Sequence, residues 1–200
     1  MINTLMSLPR RGKKKMKVKN LLPAVAMTAL LVSGAGVANA EEGGQITKEE
    51  VIKAQEAWGD AIVAIGDAYT DHRDYEELAE KTVDDLYGYD EGIVLFKPTK
   101  ASEEPFRLSE DEAVSYFVTG IVPEDHGFAI QPWSDVRFEN AGIIIDEDSA
   151  LAMGHYYFTD ANTGEETEAE YTFGYYKDED GNLRIDLHHS SFPFNPNQAG

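Results

Sequence analysis

Apolar positions recur at helical spacing in three stretches of the first two-thirds of the chain, and at a period of two afterwards. Val51, Ala54, Trp58, Ala61, Ile62, Ile65, Ala68 and Tyr69 mark one stripe. Thr47 and Glu50 stand before it as a capping box, so the spacing predicts an amphipathic helix over about residues 48–70. Asp74 and Glu77 open a second helix carrying Leu78, Ala79, Thr82, Val83 and Leu86, which Gly88 and Gly92 end. Ile93-Val94-Leu95-Phe96 reads as a short strand stopped by Pro98. Ser109 and Glu112 form another capping box, for a helix bearing Tyr116 and Phe117. Beyond Pro123 strands are expected near 128–139, 142–146, 150–159, 168–177 and 183–191. Asn140-Ala141-Gly142, Asn162-Thr163-Gly164 and Asp180-Gly181-Asn182 are read as their turns. The order is α-α-β-α-β-β-β-β, or the same with one more short strand, an α+β arrangement in which helices pack on a strongly curved antiparallel sheet.

The first forty residues follow another pattern. Seven basic residues between Arg10 and Lys19 precede the apolar run Leu21–Val32, and Ala38-Asn39-Ala40 supplies an A-x-A cleavage site before Glu41. Residues 1–40 are therefore expected to be a signal peptide of the general secretory route, and residues 41–200 a single domain. The apolar run is shorter than the roughly 20 residues a stable membrane anchor needs. The expected destination is the periplasm or an equivalent lumenal compartment.

The whole chain has 17 Lys+Arg against 37 Asp+Glu, a net charge of −20. Loss of residues 1–40 removes seven of the basic residues and no acidic one, which leaves −27 over 160 residues. A field of that sign repels nucleic acid and anionic membranes. The chain has no cysteine, so disulfides, thiolate chemistry and cysteine-containing zinc sites are excluded.

Candidate chemistry concentrates in Arg184-Ile185-Asp186-Leu187-His188-His189-Ser190-Ser191-Phe192-Pro193. Side chains alternate faces along a strand. With Ile185 and Leu187 apolar and Arg184 and Asp186 charged, the odd positions are expected to face the interior. His189 and Ser191 would then lie inside, and His188 and Ser190 outside. On the preceding strand Ala169, Tyr171, Phe173 and Tyr175 share one face, so an aromatic-lined pocket with an imidazole and a hydroxyl at one end is expected. Set against this, an inward His is often a satisfied core residue and a strand-end Ser often caps a turn. Five histidines exist, with no H-x-H pair and no H-E-x-x-H. His155 could approach His189 from a neighbouring strand, but a third ligand would have to be a carboxylate.

The element order resembles the cone-shaped fold shared by ketosteroid isomerase, scytalone dehydratase and the nuclear transport factor two family, a fold that names no function. The signal-like leader, that order and His188-His189-Ser190-Ser191-Phe192-Pro193 at the end of the last strand make the chain resemble the iota-class carbonic anhydrases of the metal-free cyanobacterial and algal type. The resemblance covers about residues 46–194. Many relatives have three consecutive His where this chain begins with Leu187, which weakens a zinc or manganese alternative. The resemblance implies carbon dioxide and bicarbonate as substrates, no cofactor and a homodimer. It also implies Thr99, Tyr116 and Ser191 as substrate contacts, and Tyr116, His189 and Ser191 as the catalytic set. In the mechanism it suggests, His189 acts as base or orienting group and the hydroxyls hold the nascent anion. Two other classes remain open. An isomerase or cyclase for a larger apolar ligand would need a wide pocket with an inward carboxylate, and an assembly module would have inert pocket residues.

Overall fold

The computed structural model describes residues 45–197, so the expectations for the signal segment and for a first mature residue at Glu41 lie outside the described residues. Helix α1 (Lys48–Thr70) starts at Thr47, whose extended backbone lets its hydroxyl accept from the Glu50 N–H while the Glu50 carboxylate accepts from the Thr47 N–H at 2.7 Å. Its buried stripe runs through Val51, Gln55, Trp58, Ile62 and Ile65, at steps of three and four. Helix α2 (Tyr75–Leu86) is capped by Asp74, and α3 (Glu110–Val118) by the Ser109–Glu112 box. The strands are β1 (Leu95–Lys97), β2 (Trp133–Ile145), β3 (Ser149–Asp160), β4 (Glu166–Lys177) and β5 (Leu183–Ser191), in the sheet order β1-β5-β4-β3-β2. All neighbours are antiparallel except β1, which runs parallel to β5 and pairs Phe96 with His188 and Lys97 with His189. The α+β order of the sequence reading is the observed one.

Two local expectations change. Asn140-Ala141-Gly142 is no turn, because β2 runs through it as one strand with a bulge. Asn140 pairs with Gly154 and Gly142 with Met153, which leaves Ala141 as the extra residue. Residues 128–132 stay out of the sheet, because the Phe128 and Ala129 N–H groups donate to the carbonyls of Tyr116 and Phe117 at 2.9 Å each. That segment is thus tied to the end of α3, and the Trp133 indole donates to the Phe128 carbonyl at 2.9 Å.

A second bulge lies in β5. Tyr175 pairs with Ile185 and Gly174 with Leu187, so two residues of β5, Asp186 and Leu187, stand against one of β4. A Cβ on Gly174 would come within 2.7 Å of the Asp186 carboxylate and 2.9 Å of the Leu187 Cβ, so the bulge needs glycine opposite it. Gly154 plays the same part opposite the β2 bulge, where a Cβ would meet the Glu139 carbonyl oxygen at 2.0 Å. The inner face of the sheet packs on α1 around Trp58, which is ringed by Phe117, Phe138, Tyr156, Phe158, Phe173 and His188.

Candidate active site

The extra residue in β5 decides which histidine faces inward. Strict alternation from Ile185 would carry His189 and Ser191 into the core. The bulge at Asp186 moves the phase by one, and the inward set becomes Ile185, His188 and Ser190, each 2% exposed. His189 is exposed, and Ser191 donates at 3.3 Å to the Glu170 carboxylate on the outer face. The expectation that His189 and Ser191 face the interior is therefore corrected. Gly174 in mid-strand was the available signal, since a lone glycine within a strand pattern marks a bulge or a close approach.

Around His188 and Ser190 a small cavity is left, with room for the centre of about one water-sized molecule (≈ 10 Å³). Trp58, Phe96, Pro98, Phe117 and Phe128 form its apolar walls; Thr99, Tyr116, Tyr156, His188 and Ser190 supply its polar groups, and no carboxylate lines it. Ser190 is the hub. Its hydroxyl accepts from Tyr156 and shares a hydrogen bond with Thr99. Tyr116 lines the same cavity, its oxygen accepting from the Lys100 N–H at 3.4 Å. The structure thus brings Thr99 and Tyr116 to one site, as expected, but with Ser190 and His188 as their companions. Tyr156 was missed. Its place on the inner face follows from the alternation of β3, where Ala150, Ala152, Tyr156 and Phe158 are buried, but nothing local marks it as a site residue.

Burial sets the electrostatics. It pushes the Tyr116 phenol well above its ordinary value, and that of Tyr156 up to about 12 even though the Ser190 hydroxyl bond pulls the other way. Both are neutral hydroxyl donors at physiological pH. Burial, and then the neighbouring His189 charge, hold His188 well below the usual imidazole range, so it is neutral. Its ring is clamped by Phe96, stacked at 4.6 Å between centroids, by Phe173 at 4.2 Å and by the Trp58 edge at 5.4 Å.

The segment that starts with the lining residues Pro98 and Thr99 is fastened at its far end. The Glu124 carboxylate accepts from the N–H groups of Ser102, Glu103 and Glu104 at 2.8–3.1 Å, which hold it down to a pKa of about 2. Arg107, fully buried, donates to Asp125 at 2.7 Å, and Ser115 donates to the other oxygen of Asp125 at 2.8 Å.

On the outer face, His155, Glu170, His189 and Ser191 border one depression, but His155 and His189 are not on neighbouring strands, because β4 runs between β3 and β5. Among the described residues no group of three or more His, Asp or Glu is arranged to hold a metal ion.

The profile of a family described as metal-independent carbonic anhydrase matches residues 49–192. The chain belongs to this family. A metal-independent carbonic anhydrase from Nostoc sp. strain PCC 7120 is 45% identical over 154 residues, covering 74% of this chain and 75% of the relative. A crystal structure of a cyanobacterial iota-carbonic anhydrase complexed with bicarbonate superposes with a TM-score of 0.74 at 41% identity, covering 82% of this chain and 99% of that one. A nuclear transport factor 2-like superfamily protein from Salmonella enterica matches more loosely, with a TM-score of 0.46 at 11% identity. The matched span of the metal-independent family contains every residue of the cavity.

Proposed function

We infer that the chain is a carbonic anhydrase, reversibly hydrating carbon dioxide to bicarbonate without a resident metal. The observation that carries this reading, together with family membership, is the cavity itself: hydroxyls and one imidazole converge within aromatic walls that leave room for a single small molecule. Carbon dioxide is small and apolar, and its oxygens only accept hydrogen bonds. A site built of donors without a carboxylate suits it, and suits the bicarbonate anion still better. The competing isomerase reading needs a wide pocket and an inward acid, and the cavity has neither.

In the reaction a water oxygen bonds to the carbon of carbon dioxide while one C=O electron pair moves onto oxygen. Charge develops on that oxygen, and the Tyr116 hydroxyl, with the one proton of the Ser190–Thr99 pair that their mutual hydrogen bond leaves free, stabilises it, as in an oxyanion hole. The water's proton leaves through the hydroxyl chain of Ser190 and Thr99, each both donor and acceptor, toward the half-buried Thr99 and buffer. The site proposed is therefore Tyr116, His188 and Ser190 as the catalytic set, with Thr99 as a further substrate contact and Tyr156 supporting Ser190. His189 and Ser191, the pair implied by the resemblance, stand outside this network.

The charge pattern and A-x-A site of residues 1–40 support export, with the catalytic domain starting at Glu41 in the periplasm or a comparable lumen. The outer face of the sheet exposes Ile144, Leu151 and Met153, which supports a homodimer through that face. Met153→Glu would then halve the mass measured by light scattering.

Stopped-flow hydration after exhaustive dialysis against a strong chelator tests the central reading. Full activity is expected. Loss of activity restored by zinc or manganese would overturn the metal-free mechanism, and no activity in either state would overturn the assignment.

A further inference from the structure

Behind the cavity a hydrogen-bonded line runs from α1 to β5. The Trp58 indole N–H points at the Tyr87 oxygen at 2.8 Å, and that oxygen lies 2.9 Å from His188 Nδ1. An indole nitrogen only donates, so the Tyr87 oxygen must accept from Trp58. The phenol has one proton of its own, and His188 Nδ1 is the acceptor the structure offers it. If Nδ1 carried the proton instead, the Tyr87 oxygen would face two donors and its own buried proton would have no acceptor, an arrangement that buried polar groups avoid.

We propose that Tyr87 is a positioning residue that fixes His188 as the Nε2–H tautomer, which makes the imidazole a hydrogen-bond donor into the cavity. His188 lines that cavity, and its Nε2 is buried without a protein partner. The ring cannot turn over to exchange its nitrogens, because Phe96, Phe173 and Trp58 enclose it. A neutral donor at this point adds a further hydrogen bond for substrate oxygen to those of Tyr116 and the Ser190–Thr99 pair. It also removes the imidazole from the list of proton acceptors, since its lone-pair nitrogen faces Tyr87 and not the reacting water. This role of the donor rests on the hydration reading above; the tautomer does not. Tyr87 is fully buried, and its burial holds the phenol far above its ordinary value, so it stays a donor across the working pH range.

Nitrogen-15 NMR of the histidine-labelled protein reads the tautomer directly, with His188 assigned by loss of its signals in His188→Gln. In the parent at neutral pH, Nδ1 is expected to give a bare, pyridine-type resonance and Nε2 a protonated one. Tyr87→Phe keeps the ring in its stack and removes only the hydroxyl. It should yield a mixture of tautomers and lower hydration kcat by about 10–100-fold, the usual effect of losing the partner that orients a functional histidine. A parent protonated at Nδ1 or at both nitrogens would overturn the proposal. So would a Tyr87→Phe variant that folds with an unchanged tautomer and rate. A parent with the expected tautomer but no hydration activity would overturn the functional reading and leave the tautomer lock standing, so the two failures are distinguishable.

Discussion

His188-Ser190 and His189-Ser191 are chemically the same pair, displaced by one position on β5 and looking in opposite directions. The inner pair is dry: His188 is enclosed by three aromatic rings, and Ser190 is bonded to Tyr156 and Thr99. The outer pair meets solvent, with Ser191 reaching an exposed glutamate and His189 standing near His155. In water a hydroxyl competes with the solvent for every hydrogen bond. In a closed apolar cavity its dipole acts on the ligand with far less screening. At the end of this strand environment, rather than residue type, assigns the chemistry.

A paired substitution separates the two faces most strongly. Ser190→Ala removes the hub hydroxyl and is expected to lower hydration kcat by about 10²–10³-fold, the loss typical of one oxyanion donor. Ser191→Ala should stay within about twofold of the parent, as should His189→Ala. Stopped-flow rates at matched melting temperature make the test, and equal losses in Ser190→Ala and Ser191→Ala would end the distinction between the faces. Tyr116→Phe retains its stack on Phe128 and should lose about 10–100-fold, because it deletes a second donor.

A structural test asks whether the bulge sets the faces. Gly174→Ala places a methyl group against Asp186 and Leu187 and should destabilise the fold by about 1–3 kcal/mol, seen as a lower urea midpoint with an unchanged slope. Unaltered stability would mean that the close approach at Gly174 is not what accommodates the bulge.

The smallest effect belongs to Glu124. Its carboxyl titrates near 2 in the folded chain, below the ordinary 4.5, so the ionised form is bound more tightly by the native state. That stabilisation is fully present above the ordinary value and is lost as pH falls from about 4.5 towards 2. Glu124→Gln should melt a few degrees lower than the parent at pH 7, and the gap should close by pH 2–3. A gap that stayed constant with pH would show that the loop fastening does not depend on the charge.

Much of this was legible in the chain. The three helix starts carry their caps in the sequence, because a side-chain oxygen answering an orphan N–H is a local event. Thr99 and Tyr116 are implied by the resemblance to the family and not by any pattern of their own. The faces of β5 are not legible, because alternation holds only while strands pair one to one, and the irregularity at Asp186 is set against Gly174 and Tyr175 of another strand. Tyr87 and Tyr156 carry no signature either: each is a tyrosine at a buried position, and its partner becomes known only when α1, β3 and β5 are brought together. The segment 128–132 has the composition of a strand, but its backbone is claimed by the end of α3.

The fastening of the 99–107 segment bears on how the protein meets salt. Its net charge, −20 for the whole chain and −27 without residues 1–40, repels itself, and dissolved ions weaken that repulsion over a Debye length of about 10 Å at 0.1 M. The Arg107–Asp125 pair is shut away from those ions, with both side chains fully buried. Raising ionic strength therefore relaxes the outside of the molecule while leaving the clasp beside the cavity at full strength.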